Sequence, residues 1–254
     1  MERNLLIPAF ALYILATIVY LVRYRRIGIS LFGAGAVLNF TAIGYRWIDA
    51  GHLPFSNMFE TMMTLGACMF LLFLLTEYGF KSQTGWIESF LAAVIVFPSC
   101  FIFEDQIKHL PPALQSALFF PHVMTYLFAY AAFGKGFILS VISLVKRGGQ
   151  DWISFEKVAY RVSAVGLPLL TAGLLLGGYW AKLAWGDYWS WDPKEVWSLN
   201  TLIIYLLYFH VRIKTRGRSS WVDILNIMGF LAIVITLLAV NLAGIFGGGL
   251  HSYA

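Results

Sequence analysis

LLIPAFALYILATIVYLVRYRR, residues 5–26, decides the fold. Its first eighteen residues carry no charge, and the next four include Arg23, Arg25 and Arg26. Wound as a helix at about 1.5 Å per residue, eighteen residues measure about 27 Å, close to the ~30 Å hydrocarbon thickness of a bilayer. A cleaved leader would need a small-residue site after the apolar run, and none is present here. The stretch therefore reads as a retained span whose arginines stay on the cytoplasmic side, with the N-terminus outside.

The same pattern recurs. Apolar stretches fall at about 5–22, 29–48, 60–80, 86–103, 116–145, 160–181, 195–213 and 221–246. Hydrophobic residues make up 59% of the chain and charged ones 12%, with a mean hydropathy of +0.74. Soluble domains carry roughly twice that charge, about 25%. The fold class expected is all-α: a polytopic helical bundle of about eight transmembrane helices, forming one integral membrane domain over residues 1–254. Lys and Arg in alternate loops divide twelve against five, the smaller set being Arg3, Arg46, Lys108, Lys182 and Lys194. That asymmetry places both termini outside. Lys135 falls within the fifth stretch, which is longer than a bilayer needs and is expected to project or break near Phe120 and Pro121.

A net charge of +5 and a pI near 9.2 suggest a nucleic-acid partner only if the cations share a surface. They lie between spans instead, which speaks for a lipid bilayer and no nucleic acid. Cys68 and Cys100 sit in apolar stretches and form no CxxC or CxxCH pattern, so they read as packing residues.

Between the sixth and seventh stretches lies WGDYWSWDPKEVWSL, residues 185–199, within a tryptophan-rich segment 180–199 assigned to the outer side. One or two tryptophans would serve as interfacial anchors. Trp180, Trp185, Trp189, Trp191 and Trp197 exceed that need, and Gly186, Asp187, Asp192, Pro193 and Lys194 predict a non-helical stretch. Irregular backbone at membrane depth requires protein or ligand to satisfy it, so a platform for a large planar ligand is the alternative reading.

Imidazole is a common ligand of haem iron. His52, His109, His122 and His251 fall on the outer side. His52 and His109 read as solvated loop residues. His122, beside Pro121 and among apolar neighbours, and His251, just past the eighth stretch, could flank the tryptophans. His251 follows Gly247, Gly248 and Gly249, which suit either a close wrap or a loose tail. His210 lies in the inner half of the seventh stretch, where an ionisable group points to function, though a hydrogen bond to a neighbouring helix would also explain it.

WGDYWSWDPKEVWSL closely resembles the WWD signature of haem-handling proteins in cytochrome c maturation, and its ending WDPKE-V-W is similar to the CcsA (ResC) family of system II. PFSNMFE at 54–60 and QSALFFPHV before the fifth stretch extend the resemblance over nearly the whole chain. What it implies is a haem-ligating subunit that works with CcsB (ResB). The pair carries non-covalent haem b outward and positions it at the WWD platform for thioether attachment to the CxxCH of apocytochrome c, as a component of a cytochrome c haem lyase. In that family two external histidines ligate the outer haem and correspond to His122 and His251. A membrane-embedded histidine that pairs with one from CcsB falls at His210.

Further expectations follow from that resemblance. Trp185, Trp189, Trp191 and Trp197 would supply stacking surface, Gly186 close approach, and Pro193 the turn before the seventh span. Asp192 and Glu195 would either cap that helix or touch haem or apocytochrome. No side chain reads as a nucleophile, so positioning and iron ligation carry the expected chemistry. Alternatives are a CcmC-like haem exporter or chaperone without attachment activity, and a b-type membrane cytochrome relaying electrons. The expected location is a bacterial plasma membrane, with the WWD segment on the extracytoplasmic side.

Overall fold

The computed structural model describes residues 1–107, 109–149 and 152–239. Their regular structure is helical: α1 Glu2–Leu21, α2 Arg25–Ala50, α3 Met58–Leu74, α4 Gly85–Phe101, α5 Phe119–Val145, α6 Trp152–Trp185, α7 Pro193–Thr215 and α8 Ser220–Val234. π-turns extend α3 through Leu75–Gly79 and α8 through Ile235–Ala239. Seven of these helices are long and apolar enough to cross a membrane, and α4 is a shorter apolar helix of 17 residues. The chain is an all-α integral membrane protein. Lipid offers the backbone no hydrogen-bonding partner, so helices that satisfy their own amides are the structure these apolar runs must take.

Two boundaries differ from the sequence reading. α5 does not break at Pro121, because that residue sits in the first turn, where a missing amide costs no helical bond. The 180–199 segment is mostly helical: α6 continues through Trp185 and α7 begins at Pro193, so irregular backbone is confined to 186–192.

The chain divides into two compact units, Met1–Leu114 and Gln115–Ala254. In the first, α1 packs on α2 and α4, and α3 packs on α4. At one end of this unit lies Arg46, 1% exposed. Its Nε donates to Glu60 Oε1 at 2.9 Å and its Nη1 to Glu2 Oε1 at 3.2 Å. Nη1 and Nη2 also reach the carbonyls of Asp105 and Gln106 at 2.5 and 3.1 Å. Counting Arg46 among loop cations therefore missed its role as a buried, fully engaged ion-pair partner. The PFSNMFE stretch supplies the anion. Asn57 caps α3 by accepting from the Glu60 amide at 2.9 Å, and Glu60 Oε2 accepts from the Ser56 amide at 2.8 Å.

In the second unit α5 packs on α6 and α8, and α7 packs on α8. Tyr126, Phe133, Leu170, Tyr205, Tyr208 and Val222 belong to its core, where the Phe133 and Tyr205 rings stack at 3.6 Å. Buried Asn226 ties α8 to α5 by donating to Ser140 Oγ at 2.8 Å. At the end formed by the α5–α6 and α7–α8 connections, Arg147 pairs with Asp223 at 2.7 Å and Arg212 with Glu156 at 3.0 Å. The opposite end of this unit carries the tryptophan segment.

Candidate functional site

Pro193 occupies the first position of α7, and Asp192 is its N-cap, accepting from the Lys194 amide at 2.9 Å. Glu195 closes a reciprocal capping box: its Oε2 accepts from the Asp192 amide at 3.2 Å and from the Ser190 amide at 2.8 Å. Between those two amides stands Trp191, a non-glycine residue at φ +60° and 70% exposed. Left-handed backbone at a bulky side chain is strained and persists only when its surroundings impose it. One carboxylate gripping the residue on either side does so. The expectation that Asp192 and Glu195 serve either as caps or as contacts thus has its structural half described: both cap α7.

The loop 186–192 leaves α6 at Gly186, whose φ of +95° glycine adopts without strain. Lys182 Nζ donates to the Gly186 carbonyl and lies 5.5 Å over the Tyr188 ring. Trp189 meets Trp191 edge to face at 5.8 Å. Trp197 lies on the first turns of α7, and its carbonyl accepts from Thr201 Oγ1 at 2.8 Å.

His122, in the first turn of α5, is at this same end of the unit. Its Nδ1 is 2.8 Å from the Gly173 carbonyl of α6. A carbonyl only accepts, so in the neutral ring Nδ1 carries the proton and Nε2 the lone pair. The ring lies parallel to buried Trp180 at 5.6 Å and 18°, and edge-on to Tyr126 at 5.0 Å. Trp180 in turn contacts Trp185 at 4.7 Å. A ring series thus leads from His122 through Trp180 to Trp185, the first residue of the signature.

Of the other histidines, His210 is exposed on α7, about 25 Å along the helix from Pro193 at ~1.5 Å per residue. His109 is exposed, as a loop residue should be. His52 is half-buried instead of solvated, its Nδ1 3.0 Å from the Leu53 carbonyl. His251 lies outside the described residues. Sequence reasoning missed Gly173 and Gly177, which form the bed under His122, and gave Trp180 no contact with it. Positions 173, 177 and 180 share one face of a helix, but that spacing alone does not separate glycines under an imidazole from glycines that merely let helices pack closely.

Residues 55–246 match the family described as "Cytochrome C assembly protein", a range that includes His122, His210 and the whole 185–199 segment. The cytochrome c biogenesis protein CcsA of Mesostigma viride is 32% identical, over 99% of this chain and 96% of its own length. CcsA of Chlamydomonas reinhardtii is 34% identical over 88% of this chain and 67% of its own. CcsA of Synechococcus elongatus is 32% identical over 83% and 82%. Among solved structures, the cytochrome c heme lyase CcmF superposes with a TM-score of 0.70 at 18% identity, covering 93% of this chain, which spans 46% of CcmF. That likeness is one of fold. The chain belongs to the CcsA family of cytochrome c assembly proteins.

Proposed function

We propose that this chain is the haem-handling and haem-ligating subunit of a system II cytochrome c synthase. Acting with CcsB, it moves haem b outward and holds it at the 185–199 segment, on the extracytoplasmic side, for attachment to apocytochrome c. The observation that carries the reading is His122, whose Nδ1 lies 2.8 Å from the Gly173 carbonyl: in the neutral ring the proton sits at Nδ1 and Nε2 carries the electron pair that iron takes. The donor set suits iron that arrives already chelated. One imidazole beside a row of indole faces is what an axial haem site offers, whereas a bare metal ion needs three or more side chains. No such group of three occurs among the described residues.

His251 is the second proposed outer ligand. His210, exposed on α7, suits a ligand completed by a histidine of CcsB. The chemistry served is addition of a cysteine S–H across a haem vinyl C=C, the sulfur bonding one carbon and the hydrogen the other, with no net oxidation. Such a step gains most from fixed geometry, of order several kcal/mol for well-oriented groups. The loop cap at Asp192 and Glu195 and the ring series at Trp180 and Trp185 supply rigidity of that kind.

Co-expression with CcsB and an apocytochrome bearing CxxCH, followed by a stain for covalent haem, tests the proposal. The wild-type chain yields covalent cytochrome, His122→Ala loses most of it, and added imidazole restores it. Unchanged haem content and product in His122→Ala would refute the ligand assignment. Haem-loaded protein that never yields covalent product would leave a carrier.

A further inference from the structure

We infer that α6 is a purpose-shaped seat for the His122 ligand, in which Gly177 makes room for the ring and the Gly173 carbonyl sets its tautomer. Gly173 and Gly177 are thereby positioning residues of the haem site. This rests on the reading of His122 as an iron ligand and adds to it. A Cβ placed on Gly177 would lie 2.5 Å from His122 Cε1 and 2.8 Å from Nδ1, closer than packed atoms approach. The ring therefore lies flat against the α6 backbone, and only glycine at 177 permits it. One turn earlier, the Gly173 carbonyl accepts from Nδ1 at 2.8 Å. One turn later, Trp180, 1% exposed, runs parallel to the ring. Three consecutive positions of one helix face thus fix the ring's depth, its rotation and its proton.

The consequence is electronic as well as steric. An imidazole that donates from Nδ1 to a fixed acceptor gains electron density at Nε2, binds iron more strongly and favours the ferric state. Moving the ring off its seat weakens ligation and raises the haem reduction potential. General helix packing predicts something different. Gly166 on α6 also makes an approach too close for a Cβ, one placed there lying 2.8 Å from the Phe133 ring, far along the helix from His122. Gly166→Ala is therefore the control for crowding the same helix pair without touching the ligand.

Two measurements on the full chain purified with its partner and bound haem test the inference. In the first, Gly177→Ala loses the outer haem's share of the six-coordinate spectrum, regains it with imidazole, and has a raised midpoint potential in whatever outer haem stays ligated, while Gly166→Ala keeps the wild-type spectrum and potential. A wild-type spectrum and potential in Gly177→Ala overturns the inference, as does an equal loss in both variants that imidazole fails to rescue. The second measurement leaves α6 intact. In His122→Gly, imidazole can bind iron and still donate to Gly173, whereas 1-methylimidazole cannot donate. Imidazole should bind about tenfold more tightly, the worth of one such hydrogen bond, and give the lower potential. Equal affinities and potentials overturn the assigned role of Gly173. If His122→Ala itself retains all its haem, the underlying ligand assignment has failed; if it loses haem while Gly177→Ala does not, only the seat has.

Discussion

Replacing Glu195 by alanine removes the acceptor that fixes the loop 186–192. Glu195 Oε2 takes the amides of Ser190 and Asp192, at 2.8 and 3.2 Å. Asp192 is buried, so its amide loses a partner that water does not readily replace, at about 1–3 kcal/mol. Ser190 is exposed, and water takes over there. Loss of a carboxylate from the positive end of α7 adds about 0.3–1 kcal/mol. A total of roughly 1.3–4 kcal/mol raises the open population of the loop roughly 8- to 700-fold, at about 1.4 kcal/mol per tenfold. Glu195→Gln keeps an acceptor oxygen and a competent capping box, loses only the charge, and should open the loop less than about fivefold. Hydrogen exchange of peptides covering 186–192, in lipid nanodiscs, reads this directly, and covalent haem yield should follow the same order. Equal loop exchange in both variants would refute the capping argument. Lost haem attachment in Glu195→Gln with unchanged exchange would show that the charge itself meets haem or apocytochrome.

Arg46→Met strands Glu60 and Glu2 as buried carboxylates and should cost the first unit about 3–5 kcal/mol, measured by thermal unfolding in detergent; adding Glu60→Gln should recover part of it, and a loss below about 1 kcal/mol would contradict the buried pairing. His210→Ala alters an exposed position and should change stability by no more than about 0.5 kcal/mol while lowering delivery of haem to apocytochrome. A large drop in melting temperature would instead mark His210 as a packing residue.

The helices were legible because a bilayer leaves the chain little choice: a run of about 20 apolar residues is a span wherever it occurs. Hydropathy was silent about faces. Arg46 and Glu60 are fourteen residues apart on different helices, and each alone looks like an interfacial charge; only the packing of α2 on α3 makes them a buried pair. α6 spans Trp152–Trp185 and so includes some two turns ahead of its apolar run, where Glu156 is paired with Arg212 from α7. Of the candidate site, His122 and the signature residues could be named from sequence. The glycines beneath the imidazole could not, since Gly173 and Gly177 are also what membrane helices use merely to pack closely. What distinguishes them is the partner across the interface, a ring nitrogen instead of an alkyl group, and that is a tertiary fact.

His122 and the loop 186–192 are held by two devices of different kinds, and they should fail separately. Glu195, on α7, holds the loop with its exposed Trp191 through the amides on either side. The α6 face holds His122 through Gly173 and Gly177, beside Trp180. If haem is gripped by the imidazole and oriented by the loop, Glu195→Ala should leave the ligated haem spectrum near wild type while covalent product falls, because the iron keeps its ligand and the macrocycle loses its fixed pose. Gly177→Ala should do the reverse at the level of the protein, altering the spectrum while exchange in 186–192 stays as it was. Effects that are energetically independent multiply, so product yield in the double variant should be close to the product of the two single-variant fractions. A double variant no worse than the poorer single one would mean that ring and loop act as one unit, and that the indoles of 185–191 are ordered through His122 and not through the α7 cap.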